Sequence, residues 1–266
     1  MLDRFNRKIN YLRISVTDRC NLRCTYCMPA CGIKLLDHKD VLSYDEIIEV
    51  VNEAVLMGVD KVRLTGGEPL VRKGILYLVE EIGKIEEVKD FSMTTNGVLL
   101  DQFAGDLMKA GIHRVNISLD TMNPERFKEI TRVGNIEDVF RGIEAAKSAG
   151  MSPIKINCVI QKSVNEKDAV EVNKYCEEND LEVRFIKQMT LSSGSFSQVI
   201  GGEGGHCSAC NRLRLTANGM IKPCLFNDIE YNVRELGVKK ALETAVDNKP
   251  KCGSVNHTGR FYNIGG

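Results

Sequence analysis

The sequence lacks an excess of charge of either sign, because 36 Lys and Arg residues balance 36 Asp and Glu residues. A balanced chain is not expected to bind nucleic acid or a membrane surface broadly, although a local basic pocket stays allowed. The chain also has only 6 prolines, and 43% of its residues are hydrophobic, which excludes collagenous, low-complexity and disordered classes. Its 266 residues suffice for one large globular domain or a domain and a half.

Long apolar runs are missing as well. The first 16 residues mix charged side chains into the apolar positions, unlike the uninterrupted apolar core of a secretory signal. No stretch of the sequence is apolar over the length that a membrane-spanning helix requires. We therefore expect a cytoplasmic protein that binds neither a membrane nor nucleic acid.

Cysteine, in contrast, is frequent and clustered. Four of the ten cysteines lie between residues 20 and 31, and three more lie between residues 207 and 224. Of the other three, we expect Cys158 and Cys176 to be buried apolar thiols, and Cys252 stands near the C-terminus. In a reducing cytoplasm, thiols grouped in this way are more often metal ligands than disulfides.

Short β-branched runs alternate with helical periodicity from residue 11 to about residue 189. The predicted strands are 12–16, 61–64, 91–94, 114–118, 154–160 and 182–186. The predicted helices are 43–57, 74–84, 100–110, 136–149 and 169–179, and Ser43 with Glu46 predicts a capping box at the first of them. Six strands alternating with five helices predict an α/β fold with a parallel sheet, closed into a partial (β/α)6 barrel of the TIM type.

The unusual residues follow the predicted strands. Four cysteines follow the first strand, GGEP at 66–69 follows the second, TNG at 95–97 follows the third, and SLD at 118–120 ends the fourth. Active sites of such barrels lie at the C-terminal ends of the strands. We therefore expect one rim of the barrel to collect these residues.

The first cysteine group has the spacing C-x3-C-x2-C, from Cys20 through Cys24 to Cys27. Thiolates are the ligands that iron–sulfur clusters require, and three of them leave one iron of a 4Fe–4S cube free for a small molecule. The spacing fits a loop around a cube better than it fits the paired C-x2-C of a zinc site. Cys31 is either a fourth ligand or a bystander.

The second group, Cys207, Cys210 and Cys224, also supplies three thiolates. A zinc site would need Cys252 or His206 to complete a tetrahedron, whereas a second 4Fe–4S cluster would again leave one iron open. Within this group, Arg212 and Arg214 alternate in a predicted strand, so both point to one face. Arginine forks match phosphate oxygens, so the pair predicts a nucleotide pocket.

Two motifs together resemble the radical S-adenosylmethionine (radical SAM) superfamily: VTDRCNLRCTYC after the first strand and LTGGEPL after the second. The resemblance implies that the open iron chelates S-adenosylmethionine and that the reduced cluster cleaves it to a 5′-deoxyadenosyl radical. The glycine pair at 66–67 would allow the backbone to approach the methionine end of that cofactor, where a Cβ would obstruct it.

Further motifs resemble the GTP 3′,8-cyclase family, which begins molybdenum cofactor biosynthesis: TTNG, RVNISLD, KINCVIQK, CSACNRLRLTANGMIKPCLF and the closing IGG. The resemblance runs from about residue 10 to the end of the chain. It implies two 4Fe–4S clusters, GTP as substrate, an electron donor, a downstream pyranopterin-forming enzyme, and room for a homodimer.

The resemblance also implies a role for each matching residue. Cys20, Cys24 and Cys27 would hold the cofactor-cleaving cluster, and Cys207, Cys210 and Cys224 the substrate cluster. Contacts with S-adenosylmethionine are implied for Tyr26, Gly67, Ser118 and Met189. Contacts with GTP are implied for Arg13, Arg63, Thr94, Lys155, Arg212 and Arg214, the last two as catalytic residues as well. The tail, Gly265 and Gly266, is expected to enter the active site.

The expected organisation is a barrel over residues 1–189, a Gly- and Ser-rich connection over 190–206, and a small lobe over 207–266 that its metal stabilises more than a core does. Two alternatives stay open. One is a radical SAM enzyme that modifies a peptide, although such enzymes usually carry more cysteines in the C-terminal lobe. The other is a non-enzymatic iron–sulfur or zinc protein, which bound zinc would indicate.

Overall fold

Strands and helices alternate through the first 187 residues of the computed structural model, which describes residues 1–189, 194–195 and 197–257 of the chain. The strands there are β1 (Tyr11–Ser15), β2 (Lys61–Thr65), β3 (Asp90–Thr95), β4 (Arg114–Ser118), β5 (Ile154–Ile160) and β6 (Glu182–Lys187). The helices are α1 (Tyr44–Leu56), α2 (Ile75–Gly83), α3 (Leu100–Lys109), α4 (Pro124–Thr131), α5 (Ile136–Ser148) and α6 (Lys167–Glu178).

These elements follow the predicted boundaries closely, except that α4 was not predicted. Ser43 and Glu46 form the predicted capping box, in which Ser43 accepts a hydrogen bond from Glu46 N and the Glu46 carboxylate accepts one from Ser43 N. The sequence carried a start signal for α4 too, because the Asn123 side chain caps it and Pro124 is its first residue.

The C-terminal part continues the same sheet. Its elements are β7 (Gly194–Ser195), β8 (Arg212–Leu215), β9 (Met220–Lys222), β10 (Tyr231–Asn232), α7 (Val233–Leu236), α8 (Val238–Asp247) and β11 (Val255–Asn256). The main sheet has the order β10-β9-β8-β1-β2-β3-β4-β5-β6, and β7 pairs with β11 in a separate sheet. Strands β8 and β1 to β6 are mutually parallel, and β9 and β10 are antiparallel additions.

The sheet curls so that its edge strand β6 approaches β1 and β8 across a shared interior. Arg184 on β6 interacts electrostatically with Tyr11 on β1 and with Arg212 on β8, although β1 and β6 are separated by four strands in the sheet order. A flat sheet would keep these side chains far apart. The predicted α/β fold class with a partial TIM-type barrel is therefore confirmed.

Alternation along β1 shows how the barrel is built. Leu12 and Ile14 have no exposed surface and belong to the hydrophobic core, whereas Arg13 between them faces the interior of the barrel. The core extends into the C-terminal part, where Leu242 and Val246 of α8 are buried in the same cluster. The C-terminal segment therefore shares the apolar core of the barrel, and the expected division into domains stays a prediction.

Within the described ranges, none of the helices combines the length and the apolar character needed to cross a membrane. Cys158 and Cys176 are buried as predicted, each 1% exposed. In the connection over 190–206, Ile200 exchanges two backbone hydrogen bonds with Phe185 of β6. The predicted tail residues Gly265 and Gly266 lie outside the described residues.

Candidate functional site

The two cysteine groups lie at opposite ends of the barrel. The first group follows the C-terminal end of β1, whereas Cys207 and Cys210 precede the N-terminal end of β8. Because β1 and β8 are parallel and pair from Tyr11 to Ile14, these two ends are opposite each other. A strand of this length separates the groups by on the order of 15 Å, at about 3.3 Å per residue.

The sulfurs of the first group lie close enough to interact. Burial raises the pKa of Cys24 to about 12, and the negative charges of Asp120 and Cys20 add to the effect. Burial also raises the pKa of Cys27, and Cys24 adds to that shift. Cys20 and Cys24 are half-buried and Cys27 is exposed, so the group is reachable from the rim. Their raised pKa values show that the three thiolates destabilise one another, and the positive irons of a cluster would stabilise such a donor set.

The described residues contain no group of three His, Cys, Asp or Glu side chains arranged around a single metal ion. That observation gives no support to a preformed zinc tetrahedron. A 4Fe–4S cube places each thiolate on a different iron, so its ligands stand further apart than the ligands of one ion. Each cysteine group offers three sulfurs, one for each of three irons of such a cube.

The GGEP turn packs directly on the backbone of the first cysteine loop. Gly67 N donates to Thr17 O at 2.7 Å, and Glu68 N donates to Arg19 O at 2.8 Å. A Cβ on Gly67 would lie 2.3 Å from Arg19 O, so no other residue fits without moving the loop. The structural reason for this glycine is thus close contact with the cysteine loop, and its predicted contact with S-adenosylmethionine stays a prediction.

Glu68 joins two neighbouring turns beneath the rim. Its buried carboxylate accepts hydrogen bonds from Leu70 N, from Thr95 Oγ1 and from Asn96 N, at 3.1, 2.8 and 2.7 Å. Burial raises the pKa of Glu68 to about 7 even though these three donors oppose the shift. Asn96 in turn places its amide nitrogen 3.7 Å from Cys20 Sγ, so the position of the first cysteine depends on Glu68.

A cavity of about 250 Å³ opens beside the first cysteine group, between the cysteine loop and the ends of β4 and β5. Tyr26 Oη donates to Asp120 Oδ2 at 2.6 Å, and Asp120 Oδ1 accepts from Val159 N at 2.8 Å; all three residues line the cavity. Burial raises the pKa of Asp120 to about 6. A polar cavity next to the thiolates fits a nucleoside such as the adenosyl group of S-adenosylmethionine.

Sequence reasoning did not single out Asp120 as a site residue, although its place in the SLD motif at the end of β4 was a usable signal. Ser118 is the last residue of β4, and Met189 is two residues beyond β6; both are half-buried at the same end of the barrel as Tyr26. Gln188, adjacent to Met189, lines the cavity. The structure thus brings the predicted cofactor residues to one rim.

Arginines fill the middle of the barrel interior. Burial lowers the pKa of Arg63 to about 10 and that of Arg214 to about 10, and Arg212 adds to the second shift. Burial and the neighbouring Arg214 cation also lower the pKa of Arg13. With pKa values of about 10, Arg63 and Arg214 stay charged at neutral pH, so the fold holds cations close together at an electrostatic cost.

Several polar atoms that face this interior are buried without a hydrogen-bond partner. In the described part of the chain they are Tyr11 Oη, Arg13 Nε, Thr94 Oγ1, both amide atoms of Asn116, Arg184 Nε and Arg212 Nε. A buried polar atom without a partner costs free energy that a bound ligand would recover. Clustered cations and unpaired donors together fit a polyanion such as a triphosphate.

Lys155 differs from the other predicted substrate residues, because its ammonium already forms an ion pair with Glu182. Arg114 is similarly paired with Asp90 through two hydrogen bonds of 2.8 and 2.7 Å. In the ranges that the structure describes, no carboxylate forms an ion pair with Arg13, Arg184 or Arg212. Arg184 was not predicted as a site residue, and only the curvature of the sheet brings it to the others.

The second cysteine group is organised by a buried lysine. Lys249, 1% exposed, donates to Arg212 O at 2.7 Å and to Pro223 O at 2.5 Å, and its side chain also hydrogen-bonds Cys210. Burial alone would raise the pKa of Cys210, but the Lys249 cation, the backbone N–H and cation of Arg212 and the Lys249 hydrogen bond together outweigh it, so the pKa is lowered. Lys249 therefore fixes the chain next to two predicted ligands, and no sequence motif indicated it.

Cys252 lies against this group, with its Sγ atom 3.1 Å from Cys207 Sγ. Arg7 explains the position: its guanidinium donates to the carbonyls of Cys207, Pro250 and Lys251 at 2.8, 2.7 and 3.0 Å. His206 directly precedes the single-turn 3-10 helix Cys207–Ala209, and its side chain does not cap that turn. Of the two candidates for a fourth ligand, the structure thus brings Cys252 to the cysteines.

Comparisons with known proteins agree with this fold. Residues 14–176 match the family described as the radical SAM superfamily. The chain resembles Streptococcus suis SuiB bound to S-adenosylmethionine with a TM-score of 0.66, at 18% identity over 91% of this chain and 64% of that one. The partial barrel, the C-x3-C-x2-C loop on its rim and the family match together define the class of protein. The chain belongs to the radical SAM superfamily.

Closer relatives identify the family within that class. A GTP 3′,8-cyclase of Thermodesulfovibrio yellowstonii is 41% identical, over 89% of this chain and 88% of the relative. A GTP 3′,8-cyclase of Petrotoga mobilis is 40% identical, over 94% of each chain. The chain belongs to the GTP 3′,8-cyclase family.

Proposed function

We propose that this chain is a GTP 3′,8-cyclase with two 4Fe–4S clusters and S-adenosylmethionine as cofactors. Cys20, Cys24 and Cys27 would hold the first cluster, which would supply the electron for cleavage of S-adenosylmethionine to a 5′-deoxyadenosyl radical. With that radical taking the ribose 3′ hydrogen, GTP would be converted to (8S)-3′,8-cyclo-7,8-dihydroguanosine 5′-triphosphate. The proposal rests on the arginines of the barrel interior, here called the arginine row: Arg13, Arg63, Arg184, Arg212 and Arg214. This row of cations and buried donors lies between two groups of three cysteines, each of which leaves one iron of a cluster without a protein ligand.

The interior residues bind and orient the triphosphate. Arg13, Arg63 and Arg214 supply positive charge in a buried site, where their attraction to phosphate is stronger than in water. Arg184 and Arg212 each present a buried Nε donor without a protein partner. Phosphate oxygens of GTP would accept hydrogen bonds from these donors and reduce the repulsion among the cations. We therefore expect the triphosphate to contribute most of the free energy of GTP binding.

Two further groups of residues position the ends of the substrate. Cys207, Cys210 and Cys224 would hold the second cluster near the N-terminal end of β8, at the base of the arginine row. Cys20, Cys24 and Cys27 would hold the first cluster at the opposite end, beside the cavity of Tyr26 and Asp120. The ribose of GTP would then lie between the two ends of the barrel.

The reaction requires partners of defined chemistry. A one-electron donor must reduce the first cluster, and a pyranopterin-forming enzyme must consume the cyclised nucleotide. We also propose a cytoplasmic location, because a reducing compartment suits oxygen-sensitive clusters held by thiolates. We further propose that the protein forms a homodimer.

Anaerobic turnover tests the activity. The reconstituted protein, incubated with GTP, S-adenosylmethionine and a reductant, should give the cyclised nucleotide together with 5′-deoxyadenosine. Formation of 5′-deoxyadenosine without any nucleotide product would defeat the proposal. Metal analysis should give about eight irons per chain, whereas stoichiometric zinc would favour the non-enzymatic alternative.

Two serine variants test whether the first cysteine group serves cleavage of S-adenosylmethionine and the second serves conversion of GTP. Cys24→Ser should abolish cleavage of S-adenosylmethionine, because it removes a ligand of the cofactor-cleaving cluster. Cys224→Ser should retain part of the cleavage and lose the cyclisation, because only the substrate end is damaged. Equal loss of both activities in both variants would contradict the assignment of the two groups.

A further inference from the structure

The sulfurs of Cys207 and Cys252 are in contact. Neither the two proposed clusters nor the arginines of the proposed GTP site require this contact. Their Sγ atoms are 3.1 Å apart, Cys252 is exposed, and Cys207 is half-buried, so an oxidant from solution can reach them. Sulfurs in a disulfide are about 2.0 Å apart, so closure needs an approach of roughly 1 Å. We propose that these two cysteines form a reversible disulfide when the second cluster is absent.

The backbone on both sides of this contact is already fixed. Arg7 is 7% exposed and donates to the carbonyl of Cys207 on one side and to those of Pro250 and Lys251 on the other. The Asp3 carboxylate holds the same guanidinium through its Nε at 2.6 Å. A single buried ion pair thus brings the two chain segments together, and the entropy of closing the loop between them is lost on folding, before any bond forms.

The neighbouring cysteines are turned to other partners. Cys210 hydrogen-bonds Lys249, and Cys224 Sγ accepts a hydrogen bond from Phe226 N at 3.4 Å. Gly253 also packs closely on Cys224, since a Cβ there would lie 3.3 Å from its sulfur. These contacts leave Cys207 as the member of the group that faces Cys252.

The chemistry is thiol–disulfide exchange. A low-molecular-weight disulfide accepts two electrons and two protons from the two protein thiols and becomes two free thiols, while the Cys207–Cys252 bond forms. The bond itself does not depend on the enzymatic activity. Its consequence rests on the proposed function, because the bond would withdraw one of the three thiolates assigned to the second cluster and block loading until a thiol reductant restores it.

Mass spectrometry of the cluster-free protein tests the bond. After treatment with glutathione disulfide, a digest with trypsin should link the peptide that begins at Cys252 to the peptide that carries Cys207 and Cys210, with loss of two hydrogens. Cys210→Ser should keep the link, whereas Cys207→Ser and Cys252→Ser should abolish it. Absence of the link, or its loss in Cys210→Ser with retention in Cys207→Ser, would overturn the proposal.

Reloading with iron and sulfide tests the consequence. The oxidised wild type should take up about four irons until a thiol reductant is added and about eight afterwards, whereas Cys252→Ser should take up about eight from the start. Equal uptake by both proteins without reductant would overturn the blocking role. If neither protein loads a second cluster even after the reductant is added, the proposed function fails, while the mass shift still decides whether the disulfide exists.

Discussion

Arg212 shows how much one side chain in the barrel interior contributes to function. Its guanidinium lies over the Tyr11 ring at 5.7 Å, and its Nε atom is buried without a hydrogen-bond partner. The sequence was sufficient to predict this arginine, because its spacing from Arg214 in a strand places both on one face. Arg184 could not be predicted, because it reaches the same interior only through the curl of the sheet.

Arg212→Ala should weaken GTP binding by about 2 kcal/mol, which corresponds to a roughly 30-fold higher Kd, because a charge-assisted hydrogen bond is lost. Anaerobic equilibrium dialysis of the reconstituted protein measures the effect. Arg141→Ala is the matched control, since Arg141 is exposed on α5 and pairs with Asp138. Unchanged GTP affinity in Arg212→Ala would remove this arginine from the pocket.

Glu68 gives a second prediction at the scale of one residue, concerning stability and pH. Its pKa is about 7 in the folded protein, above the value of about 4.3 expected for an unfolded chain. The folded state therefore binds the proton more tightly, and this contribution to stability is complete below about pH 4 and is lost as the pH rises through 7. Asp120, with a pKa raised to about 6, acts in the same direction.

Glu68→Gln should therefore reduce the fall in the free energy of unfolding between pH 4.5 and 7, by up to about 1.4 kcal/mol per pH unit, without abolishing it. Anaerobic urea unfolding at several pH values measures this slope. Glu80→Gln, on the exposed face of α2, is the control and should keep the wild-type slope. A wild-type slope in Glu68→Gln would mean that another group titrates.

At the scale of elements, the sequence predicts most helix and strand boundaries because the signals are local. The capping box at Ser43 and the apolar periodicity of α1 are properties of a few adjacent residues. The same holds for α4, because Asn123 and Pro124 form a local helix-start signal from which this helix could have been predicted. Helix α8 is different, because Leu242 and Val246 are buried by packing in a core that the C-terminal segment shares with the barrel.

Ser43→Ala should lower the free energy of unfolding by about 1 kcal/mol, because the first turn of α1 loses the side-chain acceptor for Glu46 N. Urea unfolding monitored by circular dichroism measures the loss. Ser148→Ala, at the exposed last residue of α5, should change stability little or raise it slightly. Equal effects of the two substitutions would show that the cap contributes nothing specific.

At the scale of the whole molecule, the N-terminal segment supports the site at the far end of the sequence. Arg7 is held by Asp3 and donates to three carbonyls around Cys207 and Cys252. No sequence motif marks this role, since the three carbonyls that Arg7 contacts are 200 or more residues away. The second cysteine group therefore depends on a contact that only the folded chain provides.

Arg7→Ala should release the Cys207 segment and lower the iron content from about eight toward about four per chain, with the first cluster retained. Iron and sulfide analysis after anaerobic reconstitution, with electron paramagnetic resonance of the reduced clusters, measures the change. Arg4→Ala is the matched control, because Arg4 is exposed in the same segment. A full complement of iron in Arg7→Ala would show that the second group assembles without this support.

The sequence by itself determined the chemistry: the thiolate spacing, the GGEP turn, the Arg212 and Arg214 pair and the alternation of strands with helices are all patterns among neighbouring residues. The tertiary structure alone decided where that chemistry is placed. Pairing of β8 with β1 puts the second cysteines at the opposite end of the barrel from the first, and curvature of the sheet brings Arg184 to the arginine row. Long-range register and curvature depend on packing across the whole chain, which no local pattern encodes.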